Sequence, residues 1–416
     1  MPKDFYNLPI VVIGAGPIGL ATAAYLQNYS LDFIVLEKCT TIAASIEKWR
    51  HVSLFSVWKR NVDALALQLL EKYGHHIPDM EACPTGAEFI EEYLKPLALT
   101  PELAPHIKLN VEVLAVARAD VDKLKASMKQ TPFVVRAKTA QGMQDIYARG
   151  VIDASGTWDN PSPLGASGIP ALGEEQLSEH LAGTLPDVLG AQRERFANQR
   201  ALVVGNGYSA ANSILALSDL AEQESDTKIF WTVRGESVKH FYSKSHLSKK
   251  AARWLIGERL QNLLENSKAL ELIPQFSLKA FEQQNRGVRV IGSTPEGSKS
   301  LDVDVVINGT GFRPNLQMHR EILTDFDIAT ETPARLVPFM EETAKHPVEV
   351  TFDGASALAH PQQDFYVIGM KSYGRKPGFF LFFGYEQAKV VAAAFAGDEK
   401  AAGPVVLQLP WNVEKY

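Results

Sequence analysis

Residues 9–27, PIVVIGAGPIGLATAAYLQ, decide the fold of this chain. The apolar, β-branched run Pro9–Ile13 is typical of a strand buried in a parallel sheet. Three glycines follow at once, and a stretch of small and apolar residues then predicts a helix. A second strand is expected at Phe33–Leu36, and Glu37 follows it directly. The order of strand, glycine-rich turn, helix, strand and acid predicts a βαβ unit that binds a dinucleotide.

Each position of this motif has its own physical role. Gly14 permits the tight turn after the strand, Gly16 lets the backbone approach a pyrophosphate, and Gly19 lets helix and strand pack closely. The helix N-terminus presents free N–H groups and a positive dipole to the phosphates. Glu37 stands where a carboxylate accepts hydrogen bonds from ribose hydroxyls. The residues expected to contact this dinucleotide are Gly14, Gly16, Pro17, Gly19 and Glu37.

The same pattern returns in the middle of the chain. A predicted strand, Ala201–Val204, leads into GNGYSA, whose Gly205 and Gly207 belong to a variant of the fingerprint that ends in alanine. A helix and a further strand, Lys228–Val233, are expected to follow. We expect Gly205, Gly207 and Ser209 to contact the phosphates of a second dinucleotide.

Arg234, at the end of that further strand, indicates which nucleotide binds there. A carboxylate at this place would favour NAD, whereas an arginine suits the 2′-phosphate of NADP by its charge and its fork of donors. Two interpretations stay open for the nearby lysines: they reinforce this charge, or they belong to an ordinary solvated loop. These lysines are Lys239, Lys244, Lys249 and Lys250.

Two further strands run into small residues. VIDASGTWDNP (151–161) carries Ser155 and Gly156, and VDVVINGTGFRPN (303–315) carries Thr310 and Gly311. Segments 161–173 and 294–300 are rich in proline, glycine and serine, which predicts linkers. The expected fold is therefore α/β, with two Rossmann-like domains of parallel sheets. Residues 168–300 form a domain inserted into one made of 1–165 and 301–416, and strands at 111–117 and 133–137 supply a small additional sheet.

The composition narrows the class of protein. A length of 416 residues suits two domains, and the apolar share of 46% with 22% charged residues is that of an ordinary globular protein. A net charge of −6 argues against a general nucleic-acid partner. The two cysteines, Cys39 and Cys83, form no C-x-x-C pair, and no metal motif is present. No secretory signal or long apolar span is apparent, so we expect a cytoplasmic protein without a membrane partner.

These motifs together resemble the class B flavin monooxygenases, which include flavin-containing monooxygenases, N-hydroxylases and Baeyer–Villiger enzymes. Segment 45–56 (SIEKWRHVSLFS) is similar to that family's tryptophan-bearing segment, and 84–97 (PTGAEFIEEYLKPL) to its Pro-then-Tyr-Leu helix. DASGTWDNP and NGTGFRPN are similar to its two alanine/glycine motifs. The resemblance spans nearly the whole chain and implies FAD in the domain of residues 1–165 and 301–416, with NADPH in the domain of residues 168–300.

The resemblance also implies site residues outside the two glycine motifs. Asn61 is expected beside the reactive flavin edge, as the candidate catalytic residue. Tyr385 and Gln387 are expected at a helix start near the flavin ring, where the helix dipole would stabilise negative charge on reduced flavin. The complete set of further cofactor-binding candidates is Lys38, Trp49, Arg50, Ser155, Gly156, Thr310, Gly311, Tyr385 and Gln387.

The resemblance predicts an enzyme that consumes NADPH and molecular oxygen and oxygenates a small nucleophilic nitrogen or sulfur substrate through a flavin C4a-hydroperoxide. The F-x-G-x-x-x-H-x-x-x-Y/W fingerprint is absent, which argues against the flavin-containing and Baeyer–Villiger subclasses. The alternative is an NADPH-dependent reductase that passes electrons to a quinone, a disulfide or a protein. A non-catalytic redox sensor is a third reading, and a homo-oligomer stays open.

Overall fold

The computed structural model of the protein describes residues 7–77, 79–125, 131–242, 252–345 and 348–409. Lys244, Lys249 and Lys250, three of the lysines considered for NADP, lie outside the described residues. The strands, in chain order, are β1 (Ile10–Ile13), β2 (Phe33–Leu36), β3 (Ile107–Lys108), β4 (Glu112–Arg118), β5 (Phe133–Thr139), β6 (Gly142–Ala148), β7 (Gly150–Asp153), β8 (Arg200–Val204), β9 (Lys228–Thr232), β10 (Leu270–Ile273), β11 (Ser277–Gln283), β12 (Val288–Thr294), β13 (Gly297–Val303), β14 (Val305–Asn308), β15 (Glu349–Phe352), β16 (Phe365–Val367) and β17 (Val405–Gln408).

The α-helices lie mostly between these strands, as expected of βαβ connections. They are α1 (Pro17–Asn28), α2 (Ala44–Glu47), α3 (Trp58–Asn61), α4 (Ala64–Glu71), α5 (Gly86–Phe89), α6 (Lys95–Ala98), α7 (Arg193–Phe196), α8 (Tyr208–Ala221), α9 (Ala252–Asn266), α10 (Val337–Thr343), α11 (Leu381–Ala396) and α12 (Glu399–Ala402). No helix in the described ranges is long and apolar enough to cross a membrane.

The chain divides into two compact units. The first contains the described residues up to Asp159 and those from Arg313 onwards, and the second contains Asn160–Phe312. The second unit is therefore inserted into the first. Each unit is built on its own parallel sheet, and this agrees with the predicted α/β fold class.

A five-stranded parallel sheet, in the order β16-β7-β1-β2-β3, forms the centre of the first unit. β1 is apolar and buried along its whole length, as its sequence predicts. One face of this sheet packs against α1 and α11, and the other packs against the antiparallel sheet β4-β5-β6. The chain runs from β1 outwards to β3 and returns to β7 on the other side. The strand order thus reverses between β1 and β7, and ligands of such sheets bind at that point, beyond the carboxyl ends of the strands.

The second unit has a four-stranded parallel sheet, in the order β10-β9-β8-β14, and an antiparallel sheet of β11, β12 and β13. α8 packs on the parallel sheet through small and aliphatic residues such as Ala210 and Ile214, which are fully buried. On the second unit's other face, residues of β8 and β14 share a core with the antiparallel sheet.

The borders of the units differ from the expected ones at 165 and 301. The segment 294–300 is a hairpin turn rather than a linker, because Thr294 pairs with Gly297 across it. Its glycine has a φ of +127°, a conformation that tight turns require and glycine adopts without strain. β14 then pairs with β8, which keeps the chain in the second unit as far as Phe312. The segment 161–173 also belongs to this unit, where its backbone pairs with Phe312 and Ala280.

Candidate nucleotide-binding sites

In the first glycine motif, the fold itself requires glycine at two positions, Gly14 and Gly19, but not at the third, Gly16. Gly14 has a φ of +99°, and a Cβ on it would lie 2.9 Å from the Cα of Ser155. A Cβ on Gly19 would collide with the carbonyl oxygen of Gly14. Gly16, by contrast, has an extended backbone, with a φ of −83°, and a Cβ there would meet no atom within 4 Å. The open space at Gly16 is what the close approach of a pyrophosphate requires.

Gly16 and Pro17 begin α1, so this space lies at a helix N-terminus. Gly16 is the N-cap residue, no side chain caps the helix, and Pro17 is its first residue. The first N–H groups of the helix remain available to an anion.

The Glu37 carboxylate lies at the end of β2 and closes this loop. Its Oε2 accepts a hydrogen bond of 2.9 Å from the N–H of Ala15, and its Oε1 accepts one of 2.9 Å from the N–H of Cys39. The residue is 8% exposed. Each carboxylate oxygen has a second acceptor site, so Glu37 can hold the glycine loop and also accept from a ribose hydroxyl.

The second glycine motif repeats this arrangement. Gly205 has a φ of +136°, and a Cβ on it would collide with the carbonyl oxygen of Gly309. Gly207 is the N-cap residue of α8, and a Cβ on it would meet no atom within 4 Å. Ser209 is the second residue of α8, beside this open space. The motif thus offers a second helix N-terminus with room for a pyrophosphate.

Arg234 follows β9 by two residues and is exposed. One of its guanidinium nitrogens, Nη1, donates to the carbonyl oxygen of Ala166 at 3.1 Å. A guanidinium carries five N–H donors, so this contact orients the group and leaves donors for a phosphate. Lys239 lies in a 3₁₀ turn and is exposed.

The two strand ends that the sequence singled out form matching turns. In the first unit, Oδ1 of Asp153 accepts from the N–H of Ser155 at 2.9 Å and from its hydroxyl at 2.6 Å. In the second, Oδ1 of Asn308 accepts from the N–H of Thr310 at 3.0 Å, and the Thr310 hydroxyl lies 2.6 Å from that oxygen and 2.8 Å from the carbonyl oxygen of Ser162. Gly156 and Gly311 follow with φ values of +69° and +93°, and a Cβ on either would meet nothing within 4 Å.

A buried charged network surrounds Asp153, and sequence reasoning missed it. Oδ2 of Asp153 lies 2.7 Å from Nζ of Lys371 and 2.7 Å from Nε2 of His319. Lys371 also donates to the hydroxyl of Ser155 at 2.7 Å. All three charged or ionisable side chains are at most 2% exposed. Burial alone would raise the pKa of Asp153, but the Lys371 ammonium and the His319 ring hold that pKa below its ordinary value.

The tryptophan-bearing segment lies in the first unit beside the end of segment 151–161. The rings of Trp49 and Trp158 are 6.4 Å apart, and Asp159 accepts from Nζ of Lys38 at 2.5 Å and of Lys48 at 2.7 Å. Arg50 pairs with Glu47 at 3.0 Å. Of the expected FAD ligands, Lys38 and Arg50 are exposed and already ion-paired, whereas Trp49 is half-buried and packs against the core of this unit.

Asn61 and Tyr385 are brought together, but their polar atoms serve internal contacts. The hydroxyl of Tyr385 donates to the carbonyl oxygen of Asn61 at 2.6 Å, and both residues are buried. The Asn61 amide accepts from the Ser56 hydroxyl and donates to the Ser56 carbonyl, each at 2.7 Å. Burial raises the pKa of Tyr385 well above its usual range, so its hydroxyl stays a donor.

The expected helix start at Tyr385 is wrong. α11 begins at Leu381, so Tyr385 and Gln387 are its fifth and seventh residues. Of the aromatic residues before Tyr385, Phe382 and Phe383 are therefore helical, while Phe380 is the N-cap residue. Gly384, which follows Phe383, lies against the side chain of Ile18. Gln387 is 1% exposed, and its Oε1 accepts from the N–H of Gly369 at 2.7 Å. This amide holds the segment that carries Lys371.

No cluster of three or more His, Cys, Asp or Glu side chains suited to a metal occurs in the described ranges. Two parallel sheets, one in each unit and each with a glycine motif that opens at a helix N-terminus, define the two-domain fold of the dinucleotide-dependent oxidoreductases. The chain belongs to the pyridine nucleotide-disulphide oxidoreductase family, whose profile matches residues 11–346.

Comparisons with known proteins agree with this family. The probable indole-3-pyruvate monooxygenase YUCCA8 of Arabidopsis thaliana is 30% identical over 215 residues, which cover 50% of this chain and 44% of the plant protein. The chain therefore matches less than half of that relative's length.

Two solved structures share the fold. The bacillithiol disulfide reductase Bdr of Bacillus cereus superposes with a TM-score of 0.70 at 16% identity, covering 94% of this chain and 99% of that one. The cadaverine monooxygenase DfoA of Erwinia amylovora, bound to FAD, superposes with a TM-score of 0.65 at 14% identity, covering 97% of both chains. The predicted fold class, the resemblance to flavin monooxygenases and the prediction of an oxidoreductase are confirmed. The predicted cofactors, FAD and NADPH, agree with these findings.

Proposed function

We propose that this protein is a FAD-dependent monooxygenase that consumes NADPH and oxygenates a small nitrogen or sulfur nucleophile with molecular oxygen. The observation that carries the proposal is the pair of open spaces at Gly16 and Gly207, each at the N-terminus of a helix that follows a buried strand. One chain then offers sites for two dinucleotides. Hydride transfer from one dinucleotide to the other is the chemistry that such a pair serves.

FAD is assigned to the first unit. The N–H groups at the start of α1 would bind its pyrophosphate, and the Glu37 carboxylate would accept from its adenosine ribose. The residues present fit the group, because Gly16 leaves the space free and Glu37 is held in place by two backbone N–H groups.

NADPH is assigned to the second unit. The start of α8 would bind its pyrophosphate, and Arg234 its 2′-phosphate. The contact with the Ala166 carbonyl orients the guanidinium before the nucleotide arrives, which reduces the entropy lost on binding.

FAD, when bound, would supply the oxygen-activating chemistry, and the flavin C4a-hydroperoxide expected from the sequence belongs to this proposal. The protein residues bind, orient and exclude water. A nitrogen nucleophile is favoured as substrate because DfoA, which shares the fold, is a cadaverine monooxygenase. The likeness to YUCCA8 supports the monooxygenase class in a second way.

Rapid mixing of the NADPH-reduced holoprotein with oxygenated buffer tests this function. A lasting near-ultraviolet absorbance band before the oxidised flavin spectrum returns is expected. Addition of amines and thiols should shorten its lifetime, and an oxygenated product should form in step with NADPH consumption.

The outcome against the proposal is a direct return to oxidised flavin, with hydrogen peroxide released and no product from any amine or thiol. Anaerobic turnover with a quinone or disulfide acceptor would then identify the alternative, an NADPH-dependent reductase. In that case the acceptor disulfide would have to be external, since the sequence contains only Cys39 and Cys83 and no C-x-x-C pair.

A further inference from the structure

The register of the two parallel sheets shows which residues of the second unit are the counterparts of those at the first glycine motif. In the first unit, Ile13 pairs with Leu36, and Glu37 comes next along the chain. In the second unit, Val204 pairs with Thr232. Because each glycine motif begins directly after Ile13 or Val204, the residue after Thr232 is the counterpart of Glu37.

The counterpart of Glu37 is Val233, an apolar residue that is 2% exposed. Glu37 has two roles in the first unit. It holds the glycine loop through the N–H of Ala15, and its remaining acceptor sites suit a ribose hydroxyl. Val233 can perform neither role, because its side chain has no polar atom. Both roles therefore fall to other residues in the second unit.

Trp231 performs the first of these roles. Its Nε1–H donates to the carbonyl oxygen of Gly205 at 2.8 Å, and the residue is fully buried. The second glycine loop is thus held in place without a carboxylate. An indole has a single N–H donor, and this bond uses it, so Trp231 offers no hydrogen bond to a nucleotide.

Asn206 is placed for the second role. It lies between the first two glycines of its motif, where the first unit has the fully buried Ala15, and it is exposed. Its carboxamide extends to the loop after β9, since its Nδ2 lies 3.8 Å from the position of a Cβ on Gly235. In the described part of the chain this carboxamide makes no hydrogen bond. It therefore offers two N–H donors to a ligand, beside the residue that follows Arg234.

We propose that Asn206 is a second residue that selects NADPH, and that its carboxamide donates to the 2′-phosphate that Arg234 also binds. The inference rests on the proposed placement of NADPH in the second unit. In sites of this kind, the residues at the end of the second strand face the 2′ position of the adenosine ribose, and Asn206 reaches the same loop from the glycine motif. An N–H bonded to a phosphate oxygen is charge-assisted, and this makes it stronger than a bond to a neutral hydroxyl.

Two variants of Asn206 test this role by titration calorimetry of the purified holoprotein with NADP⁺ and NAD⁺. Asn206→Ala is expected to weaken the binding of NADP⁺ by about tenfold and that of NAD⁺ by less than about threefold. Asn206→Asp should weaken the binding of NADP⁺ by at least about 30-fold, because a carboxylate repels the phosphate. It should bind NAD⁺ at least as tightly as the wild type, because a carboxylate accepts from a free 2′-hydroxyl. The fragments 2′,5′-ADP and 5′-AMP should show the same contrast without the nicotinamide.

Both variants should unfold at the wild-type temperature, because Asn206 is exposed and its φ is not in the left-handed region. Asn262→Asp is the control for an added negative charge. Asn262 is exposed and lies one turn before the end of α9. This helix leads to Ala269, whose carbonyl oxygen accepts from the N–H of Ile229 at the start of β9. Asn262 therefore lies towards the end of the sheet opposite to the second glycine motif, and its variant should bind both nucleotides like the wild type.

Gly207→Val separates the role of Asn206 from the placement of NADPH. Its side chain would fill the open space at the start of α8 and should weaken the binding of both nucleotides. If it does so while both Asn206 variants bind NADP⁺ like the wild type, the site stands and the role of Asn206 is rejected. An equal loss for NADP⁺ and NAD⁺ in Asn206→Asp would also reject selection by this residue. Unchanged binding of NADP⁺ by Gly207→Val would reject the placement and the inference with it. None of these outcomes depends on the oxygen chemistry.

Discussion

Asp153 and Asn308 occupy equivalent places in the two units. Asp153 pairs in register with Ile13, the residue before Gly14, and Asn308 pairs in register with Val204, the residue before Gly205. Each side chain then bonds the N–H and the hydroxyl of the residue two positions later. The same strand-end turn therefore occurs in both units, with a charged residue in the first and a neutral one in the second. The effect of the charge can thus be judged by comparing the two turns.

The glycines of the second motif are expected to respond differently to substitution. Gly205→Ala should lower the free energy of unfolding by more than about 1 kcal/mol, because a φ of +136° is strained for alanine and its Cβ would meet the carbonyl of Gly309. Gly207→Val should unfold like the wild type and raise the KM for NADPH. Thermal unfolding and steady-state kinetics distinguish the two, and equal losses of stability in both variants would contradict the assignment.

Arg234→Ser is expected to raise the KM for NADPH by roughly 10- to 100-fold, since a charge-assisted contact with the 2′-phosphate would be lost. The KM for NADH should stay near its wild-type value. Arg289→Ser is a suitable control, because Arg289 lies on β12 and pairs with Asp302 at 2.8 Å. A parallel change for both nucleotides in Arg234→Ser would count against a 2′-phosphate contact.

Tyr385→Phe is expected to destabilise the fold without removing the flavin. The variant loses the 2.6 Å bond to the Asn61 carbonyl and leaves that buried acceptor without its donor. A cost of about 1–3 kcal/mol in the free energy of unfolding follows. Denaturant unfolding and the flavin content of the purified protein measure the two effects. A tenfold loss of FAD affinity with unchanged stability would instead show that the hydroxyl contacts the cofactor.

His360 gives the stability a pH dependence on the acid side. Burial, with a smaller contribution from His319, lowers the pKa of His360 from 6.5 to about 4. Between pH 6.5 and 4 the unfolded chain takes up a proton that the folded chain does not, so this stability is present above pH 6.5 and is lost as the pH falls towards 4. The free energy of unfolding falls by at most about 3 kcal/mol over this range.

His360→Asn should flatten that part of the pH profile, because asparagine keeps an acceptor for the N–H of Asp325 but does not titrate. Urea unfolding at a series of pH values measures the slope, and His51→Asn, at an exposed position, controls for the loss of one histidine. An unchanged slope in His360→Asn would show that His360 is not the titrating group.

The parts of the fold that can be predicted from the sequence are those that short, contiguous stretches of residues determine. The apolar runs, the glycines of each motif and the helices that follow are contiguous, so periodicity and turn chemistry reveal them. The sequence does not predict the contacts of Lys371 and His319 with Asp153, because these residues lie 218 and 166 positions from it and only the tertiary fold brings them together. The available signal was a lysine two residues after the glycine that ends the apolar run FYVIG (365–369).

The two predicted linkers, 161–173 and 294–300, are wrong for the same reason, which is their composition. The turn at 294–300 and the segment 161–173 contain the same residue types as a linker, but hydrogen bonding within the second unit decides their structure. The sequence predicts the start of α11 four residues too late, because the aromatic residues Phe379, Phe380, Phe382 and Phe383 include no helix-capping residue to mark it.

The open spaces at Gly16 and Gly207 bear on how sequence variation in this chain would be read. Bulky residues at Gly16 and Gly207 are expected to leave the polypeptide able to fold, whereas a side chain at Gly14 or Gly205 should destabilise it even in the absence of nucleotide. A mutational survey scored by cellular abundance would therefore report only Gly14 and Gly205 as sensitive to substitution. Variants at Gly16 and Gly207 would accumulate as abundant but inactive protein. In mixtures with the wild type, they would lower the activity per molecule of protein and leave the amount of protein unchanged.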